Sequence, residues 1–151
     1  MVEKLARARA AVAAVEDPEI PVLTIEDLGI LRDVRLDGDT VEVTITPTYS
    51  GCPAMIAIGL EIETALARAG FPKSQVRSVL SPAWTTDWMS EAGRRKLLAY
   101  GIAPPNPNAL PSCPQCGSEN TEQISAFGST ACKALYRCLA CREPFDAFKC
   151  H

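Results

Sequence analysis

The stretch VEVTITPTYSGCPAMIAIGLEIETALARAG, residues 41–70, changes its pattern of apolar residues in the middle. Apolar and polar residues alternate over Val41–Ile45, which is typical of a half-buried β-strand. From Ile58 onwards, apolar side chains recur at the three- and four-residue spacing of one helical face, until Gly70 ends the pattern. The stretch therefore predicts a strand that is followed by a helix over residues 53–69.

The segments on either side extend this pattern to a small mixed domain. The upstream run ILRDVRL, residues 30–36, is a second candidate strand, and Asp37-Gly38 suits a tight hairpin turn. Downstream, QVRSVL predicts a third strand, and a last helix is expected to begin near Ser90, a good N-cap residue. With an amphipathic pattern at the N-terminus, the predicted order is α-β-β-α-β-α, which makes the fold class α+β.

A proline-rich segment divides the chain. The run APPNPNALPS holds four prolines, which prevent a regular element and favour an extended linker. We therefore expect a first domain over residues 1–102, a linker over 103–112 and a small module over 113–151. A chain of 151 residues is long enough for one domain with an ordinary core and such a module.

The composition argues against several classes of function. The net charge is −3, and neither part of the chain has the excess of basic residues that phosphate contacts require, so no nucleic-acid partner is expected. No apolar run approaches the roughly 18 residues that cross a bilayer, and the N-terminal segment reads as an amphipathic helix rather than a signal peptide. We therefore expect a soluble, cytoplasmic protein without a membrane partner.

Two C-x-x-C pairs carry the strongest functional signal. CPQC contains Cys113 and Cys116, CLAC contains Cys138 and Cys141, and 21 residues separate the pairs. This spacing is close to that of a zinc ribbon, in which four thiolates hold zinc at tetrahedral geometry. Because so small a module lacks a sufficient core, metal binding would supply its folding free energy, on the order of 10 kcal/mol. A redox role fits less well, since it requires one pair beside a thioredoxin-like fold.

Cys52 lies where the predicted strand gives way to the helix, between Gly51 and Pro53. Proline is favoured at the first helical position, so Cys52 would be the N-cap of this helix. The unpaired N–H groups and the dipole of a helix N-terminus stabilise a thiolate. The residues leave two interpretations open: a nucleophile or soft-metal ligand, and a small buried cysteine.

The other cysteines and the histidine have bland interpretations. Cys132 is expected in the core of the ribbon hairpin, and a metal ligand is the alternative. Cys150 and His151 end the chain, where an exposed, flexible thiol is usual and assistance in metal transfer is the alternative. Because His151 is the single histidine, the main domain cannot assemble a Cys-His or Ser-His catalytic pair. This weakens any hydrolase interpretation.

Two further motifs have a structural and a functional interpretation each. Trp84 and Trp88 in PAWTTDWM are expected as aromatic anchors of the core, with a partner-binding surface as the alternative. Asp17 in DPEIP is expected to cap a turn. A metal site that uses the carboxylate of Asp17 or Glu19 is the alternative.

Three segments, DPEIPVLTIEDLGIL, TPTYSGCPAM and SPAWTTDWMSEAGRRKL, together resemble the SufT-related family of iron–sulfur assembly domains. The signatures of that family are an Asp-Pro-Glu turn, a Thr-x-x-x-Cys-Pro segment and a late tryptophan loop, and the resemblance covers about residues 5–102. The tail that begins at Cys113 resembles the ribbon of one branch of the family, the PaaD (PaaJ) proteins of phenylacetate degradation. The resemblance implies a SufT-like domain followed by a C-terminal zinc ribbon.

The resemblance also implies roles for individual residues. The reactive cysteine of the family corresponds to Cys52, its threonine to Thr48, and its acidic turn to Asp17 and Glu19. The four ribbon thiolates correspond to the C-x-x-C pairs. Because thiolate sulfur is the natural ligand of iron–sulfur clusters, a transient cluster or iron is expected in addition to structural zinc. Ala147 stands where an aromatic residue is expected, a departure that concerns the packing of the tail.

The function that the resemblance implies is an accessory one. The PaaD branch is associated with the multicomponent oxygenase that epoxidises the ring of phenylacetyl-coenzyme A, and it is not regarded as a catalytic subunit. The reductase component of that system resembles flavin and plant-type ferredoxin proteins, so its iron–sulfur cluster must be installed. We therefore expect a non-enzymatic maturation factor whose partners are the oxygenase components, above all the iron–sulfur reductase. A homodimer stays open.

Two other classes of function also stay open. The chain could be a non-catalytic or thiol-dependent subunit of the oxygenase complex, although no histidine lies near Cys52 and no carboxylate-histidine di-iron motif is present. It could also be a zinc-ribbon interaction adapter in which Cys52 is inert. Co-purification and iron loading distinguish the three.

Overall fold

The computed structural model describes residues 2–48, 54–106, 108–130 and 132–149. These residues form two compact units. The first holds most of the described chain up to Trp84 together with Trp88–Ser90, and the second holds Thr85–Asp87 and the described residues from Glu91 onwards. Within the described ranges, no helix has the length and apolar character needed to cross a membrane. The fold class is α+β, as predicted.

The first unit combines a three-stranded sheet with helices. Its helices are α1 (Val2–Ala13), α2 (Ile25–Leu28) and α3 (Ala54–Arg68), and its strands are β1 (Leu31–Asp37), β2 (Thr40–Ile45) and β3 (Ser74–Ser78). The predicted hairpin pairs β1 with β2 in antiparallel orientation, and β3 joins β2 in parallel after the chain has passed through α3. The predicted elements are therefore present, and the short helix α2 is an addition.

The core of the first unit forms because each element offers one apolar face. On β2, buried residues alternate with half-buried ones, as the period of two predicts. α1 packs against α3 and β1, and α3 packs against β3. The helical residues that enter this core recur at a spacing of four: Ala8 and Val12 on α1, and Ala54, Ile58, Ile62 and Leu66 on α3.

The tryptophan loop is attached to the end of α2. The Nε1–H of Trp84 donates a hydrogen bond of 2.8 Å to the carbonyl oxygen of Leu28, and Trp84 is buried. Trp84 is therefore a core anchor, as expected, and its polar atom has the partner that a buried indole requires. Trp88 is half-buried, and the guanidinium of Arg32 lies 3.8 Å from the centroid of its ring.

Gly29, at the C-terminal cap of α2, has the tightest steric requirement in this region. Its φ of 79° is the left-handed conformation, and a Cβ at this position would lie 2.6 Å from both the Cβ and the carbonyl oxygen of Trp88. We expect Gly29→Ala to lower the free energy of unfolding of the first unit by about 2–4 kcal/mol, because backbone strain and overpacking add.

The matched control for this prediction is Gly38→Ala. Gly38 also has a positive φ, 60°, but an added Cβ would meet nothing within 4 Å. The substitution should therefore cost only about 1 kcal/mol. Urea denaturation followed by tryptophan fluorescence measures both variants, and equal losses of stability would show that packing against Trp88 contributes nothing.

The second unit contains one helix and a four-stranded sheet. The helix α4 (Glu91–Ala99) begins directly after Ser90, as predicted. The strands β4 (Ile102–Ala103), β5 (Thr121–Ser125), β6 (Lys133–Cys138) and β7 (Pro144–Phe148) have the spatial order β4-β7-β6-β5. Consecutive strands β5, β6 and β7 pair in antiparallel orientation, whereas β4 joins β7 in parallel. The ribbon sheet therefore includes a strand from outside the C-x-x-C segment.

Contacts around α4 bear on the division of the chain. The guanidinium of Arg94 donates to the carbonyl oxygens of Pro105, over 2.9 Å, and of Thr86, over 3.1 Å. α4 also packs against β4, so both elements belong to the compact unit that contains the ribbon. The division after residue 102, with a linker over 103–112, stays a prediction about the chain in solution.

Candidate metal centre

Two turns of the second unit each present two cysteines. The first turn precedes β5, and the second connects β6 to β7. In each turn the N–H of the first cysteine donates to the carbonyl oxygen five residues later, from Cys113 to Ser118 over 2.9 Å and from Cys138 to Glu143 over 3.0 Å. The same backbone course in both turns places the two pairs of sulfurs in equivalent positions.

Each turn reverses at the residue that follows its second cysteine. Gly117 has a φ of 77°, and Arg142 has a φ of 68° in the corresponding position of the other turn. Glycine adopts this left-handed conformation without a steric penalty, so C-x-x-C-G is a recognisable sequence signal. Arginine carries no such signal, which is why sequence reasoning did not single out Arg142.

The four sulfurs form a compact cluster. The Sγ atoms of Cys113 and Cys141 are 3.7 Å apart, and those of Cys116 and Cys138 are 3.6 Å apart. All four lie within 4.8 Å of one another. Four sulfurs at about 2.3 Å from a tetrahedral zinc ion are separated by about 3.8 Å, so the cluster has the size that zinc requires.

The electrostatics of the cluster favour a cation. The N–H of Cys141 lies 3.4 Å from the Sγ of Cys138 and lowers the pKa of that thiol to about 6, against the opposing effect of burial. At Cys141 the N–H of Glu143 acts in the same direction, but burial and the three neighbouring sulfurs raise the pKa to about 12. The first thiol thus ionises readily and another resists, because thiolates in so small a space repel one another. A divalent cation removes this repulsion.

The cluster is buried on one side. Cys113 and Cys138 are 2% and 0% exposed and belong to the hydrophobic core of the second unit, whereas Cys116 and Cys141 are exposed. Ala147, at the position where an aromatic residue was expected, is buried in the same core. The first cysteine of each pair therefore links the metal centre to the core, and the second completes the ligand set.

Cys132 lies outside this cluster. It is buried, and its Sγ is 2.9 Å from the Oγ1 of Thr130. This burial agrees with the position expected from the sequence, and an accessory role of Cys132 in metal binding stays a prediction. Cys150 and His151 lie outside the described residues, so their assistance in metal transfer also stays a prediction.

The second predicted site, around Cys52, is only partly described. Asp17 is buried, and its Oδ1 accepts hydrogen bonds from the N–H groups of Glu19, over 2.7 Å, and Ile20, over 3.4 Å. This is the turn cap that the sequence predicted. Glu19 is half-buried in the same turn, and Thr48 is half-buried beyond the end of β2. Cys52 lies outside the described residues, so the assembly of these side chains around its thiol stays a prediction.

Thr46 is a residue near this site that sequence reasoning did not single out. It directly follows β2, is 1% exposed, and its Oγ1 has no hydrogen-bond partner among the described residues. A buried hydroxyl without a partner costs about 1–3 kcal/mol. The available signal was its place between two apolar residues, Ile45 and Pro47, at the end of a buried strand.

Comparisons with known proteins cover nearly the whole chain. The family model of the PaaD zinc beta ribbon domain matches residues 105–149, and the family model named iron-sulfur cluster assembly protein matches residues 5–80. The chain is 52% identical over 148 residues to a protein of Escherichia coli (strain K12) that is named as a putative subunit of 1,2-phenylacetyl-CoA epoxidase, with 93% of this chain and 90% of that protein covered. The chain belongs to the PaaD family. Together with the sulfur geometry, this supports a zinc-binding site at the four-cysteine cluster of this PaaD-family chain.

Two solved structures resemble part of this PaaD-family chain. The crystal structure of a domain of unknown function, DUF59, from Bacillus anthracis has a TM-score of 0.59 and 27% identity, and covers 64% of this chain and 92% of that one. A conserved hypothetical protein from Thermotoga maritima has a TM-score of 0.51 and 29% identity, with 61% and 91% covered. The fold of the PaaD-family chain is therefore DUF59-like, with the ribbon in addition.

Proposed function

We propose that this chain is an accessory protein of the phenylacetyl-CoA epoxidase system and that it assists the assembly or insertion of the iron–sulfur cluster of the reductase component. One observation carries the proposal: a single chain joins an iron–sulfur cluster assembly domain, residues 5–80, to a PaaD ribbon, residues 105–149. The first part indicates the chemistry and the second indicates the system. Similarity to a protein named as a subunit of that epoxidase supports the same assignment.

In this proposal the two cysteine sites have different tasks. Zinc at the four-cysteine cluster is structural, because it supplies no redox chemistry and all four of its positions are filled by protein sulfur. The thiolate of Cys52 is the ligand for iron or a cluster, with Thr48 and the acidic turn of Asp17 and Glu19 beside it. The cluster is a cargo that the chain holds transiently and passes on. The chain itself is then not an enzyme.

A second candidate function is a non-catalytic or thiol-dependent subunit of the oxygenase complex. The name of the Escherichia coli relative favours it. Against a thiol-dependent reaction stands the single histidine, which is the last residue of the sequence. An interaction adapter based on the ribbon alone is a third candidate, and it leaves Cys52 without a task.

Anaerobic isolation of the tagged chain from cells that express the epoxidase components tests the proposal. We expect the reductase to co-purify, and we expect iron and sulfide on the chain in addition to zinc. Isolation from cells without the reductase is the control, in which the cargo should accumulate. A chain that carries zinc alone and stays bound to the oxygenase components would favour the subunit function instead. Sedimentation of the purified chain decides whether it is a homodimer.

A further inference from the structure

A groove with a volume of about 430 Å³ lies in the first unit, lined by α1, the turn that follows it, and α3. The apolar part of its lining consists largely of small side chains, including Ala11, Ala14, Ala57 and Ala65. Small side chains leave the space between the two helices that larger ones would fill. The volume falls within the range of roughly 300–1,000 Å³ that is usual for binding pockets.

The charges of this groove have one sign. Among the described residues that line it, the charged ones are Glu16, Asp17 and Glu61, and all three are acidic. The cations of α1 lie against other groups: the guanidinium of Arg7 is 5.2 Å from the ring centroid of Phe71, and that of Arg9 is 4.0 Å from a carboxylate oxygen of Asp33. An apolar floor between carboxylates complements a segment that carries apolar side chains on one face and lysine or arginine beside them.

We propose that this groove docks a cationic amphipathic segment of the client protein. The proposal rests on the proposed function, which makes the reductase the client. Asp17 belongs both to the wall of the groove and to the acidic turn of the predicted cluster site. A segment that is docked here is therefore held beside the residues to which the transfer of the cluster is assigned.

A synthetic helical peptide with an alanine–leucine face and a lysine face tests the chemistry of the groove without the reductase. Its affinity for the full chain is measured by fluorescence anisotropy at low and at raised salt. Glu61→Lys and Ala14→Lys should each weaken binding about fivefold at low salt, because each places a cation where the peptide carries its own. Ala14→Glu should strengthen binding. Both residues are exposed, so the core is undisturbed.

Glu63→Lys is the matched control. Glu63 is exposed on the same helix and undergoes the same change of charge, but it does not line the groove. Its affinity for the peptide should equal that of the wild type. If Glu63→Lys weakens binding as much as Glu61→Lys, or if the two Ala14 variants act alike, the groove is not the binding site and the proposal is overturned.

The same variants are then titrated with the purified reductase. The same order of affinities supports the reductase as the client. If the peptide follows the groove variants but the reductase does not bind at all, the groove stands and the proposed client is wrong. If the reductase binds and none of the groove variants changes its affinity, the proposed function stands and the docking groove is refuted.

Discussion

Cys116→Ser is expected to abolish zinc binding and to unfold the ribbon while the first unit stays folded. The side chain of Cys116 is exposed, so its loss removes no core packing, but its sulfur is one of the four in the cluster, 3.6 Å from that of Cys138. Metal binding supplies on the order of 10 kcal/mol to small zinc modules, and the loss of one thiolate removes most of it. Zinc content per chain and protease resistance of residues 113–149 measure the effect.

The two units can be followed separately in this experiment. Both tryptophans of the chain, Trp84 and Trp88, belong to the first unit, so their fluorescence reports that unit alone. Cys132→Ser is the control: it is the same substitution at a buried cysteine outside the cluster, and it should keep zinc with a modest loss of stability. A Cys116→Ser protein that retains zinc and a protease-resistant ribbon would show that the four-thiolate site is wrong.

Cys52→Ser is expected to keep the fold and to abolish the maturation of the reductase. Serine is a good N-cap residue and nearly isosteric with cysteine, so the predicted start of the helix is preserved. A hydroxyl is a poor ligand for the soft metals that thiolates bind, so the capacity to hold iron or a cluster is lost. Reductase that is purified from cells carrying this variant should be poor in iron, and its chemically reconstituted form should work normally.

The other interpretations of Cys52 predict different results. An inert core cysteine predicts full reductase activity and a small loss of stability. A catalytic thiol predicts that reconstituted reductase cannot restore turnover unless the wild-type chain is added. Cys132→Ser is the thiol control and should leave the iron content of the reductase unchanged. Full cluster occupancy in the Cys52→Ser strain would exclude the assembly role for this residue.

The sequence predicted those parts of the structure that depend on local patterns. The alternation along β2 and the four-residue spacing on α3 are properties of single elements, and both are confirmed by the buried residues of the structure. The four-cysteine cluster was predictable because each C-x-x-C pair forms its own turn and zinc requires four ligands. For these elements a local signal and the tertiary structure agree.

Other features arise from contacts between distant residues and have no local signal. The strand β4 consists of two residues beside a proline-rich segment, and it exists because Ile102 pairs with Asp146 of β7. The helix α2 has four residues, which is too short for a helical period, and is held by the capping box of Thr24 and Asp27. The acidic groove likewise depends on the packing of α1 against α3.

The iron and acid-labile sulfide content of the reductase, purified anaerobically from cells with and without this chain, tests the account most directly. Both strains should yield the same amount of reductase polypeptide, because the chain acts on the cluster and not on synthesis. We predict a reductase that is poor in both iron and sulfide in the strain without the chain, and restored content when the chain is supplied again. Full and equal cluster content in the two strains would contradict the account.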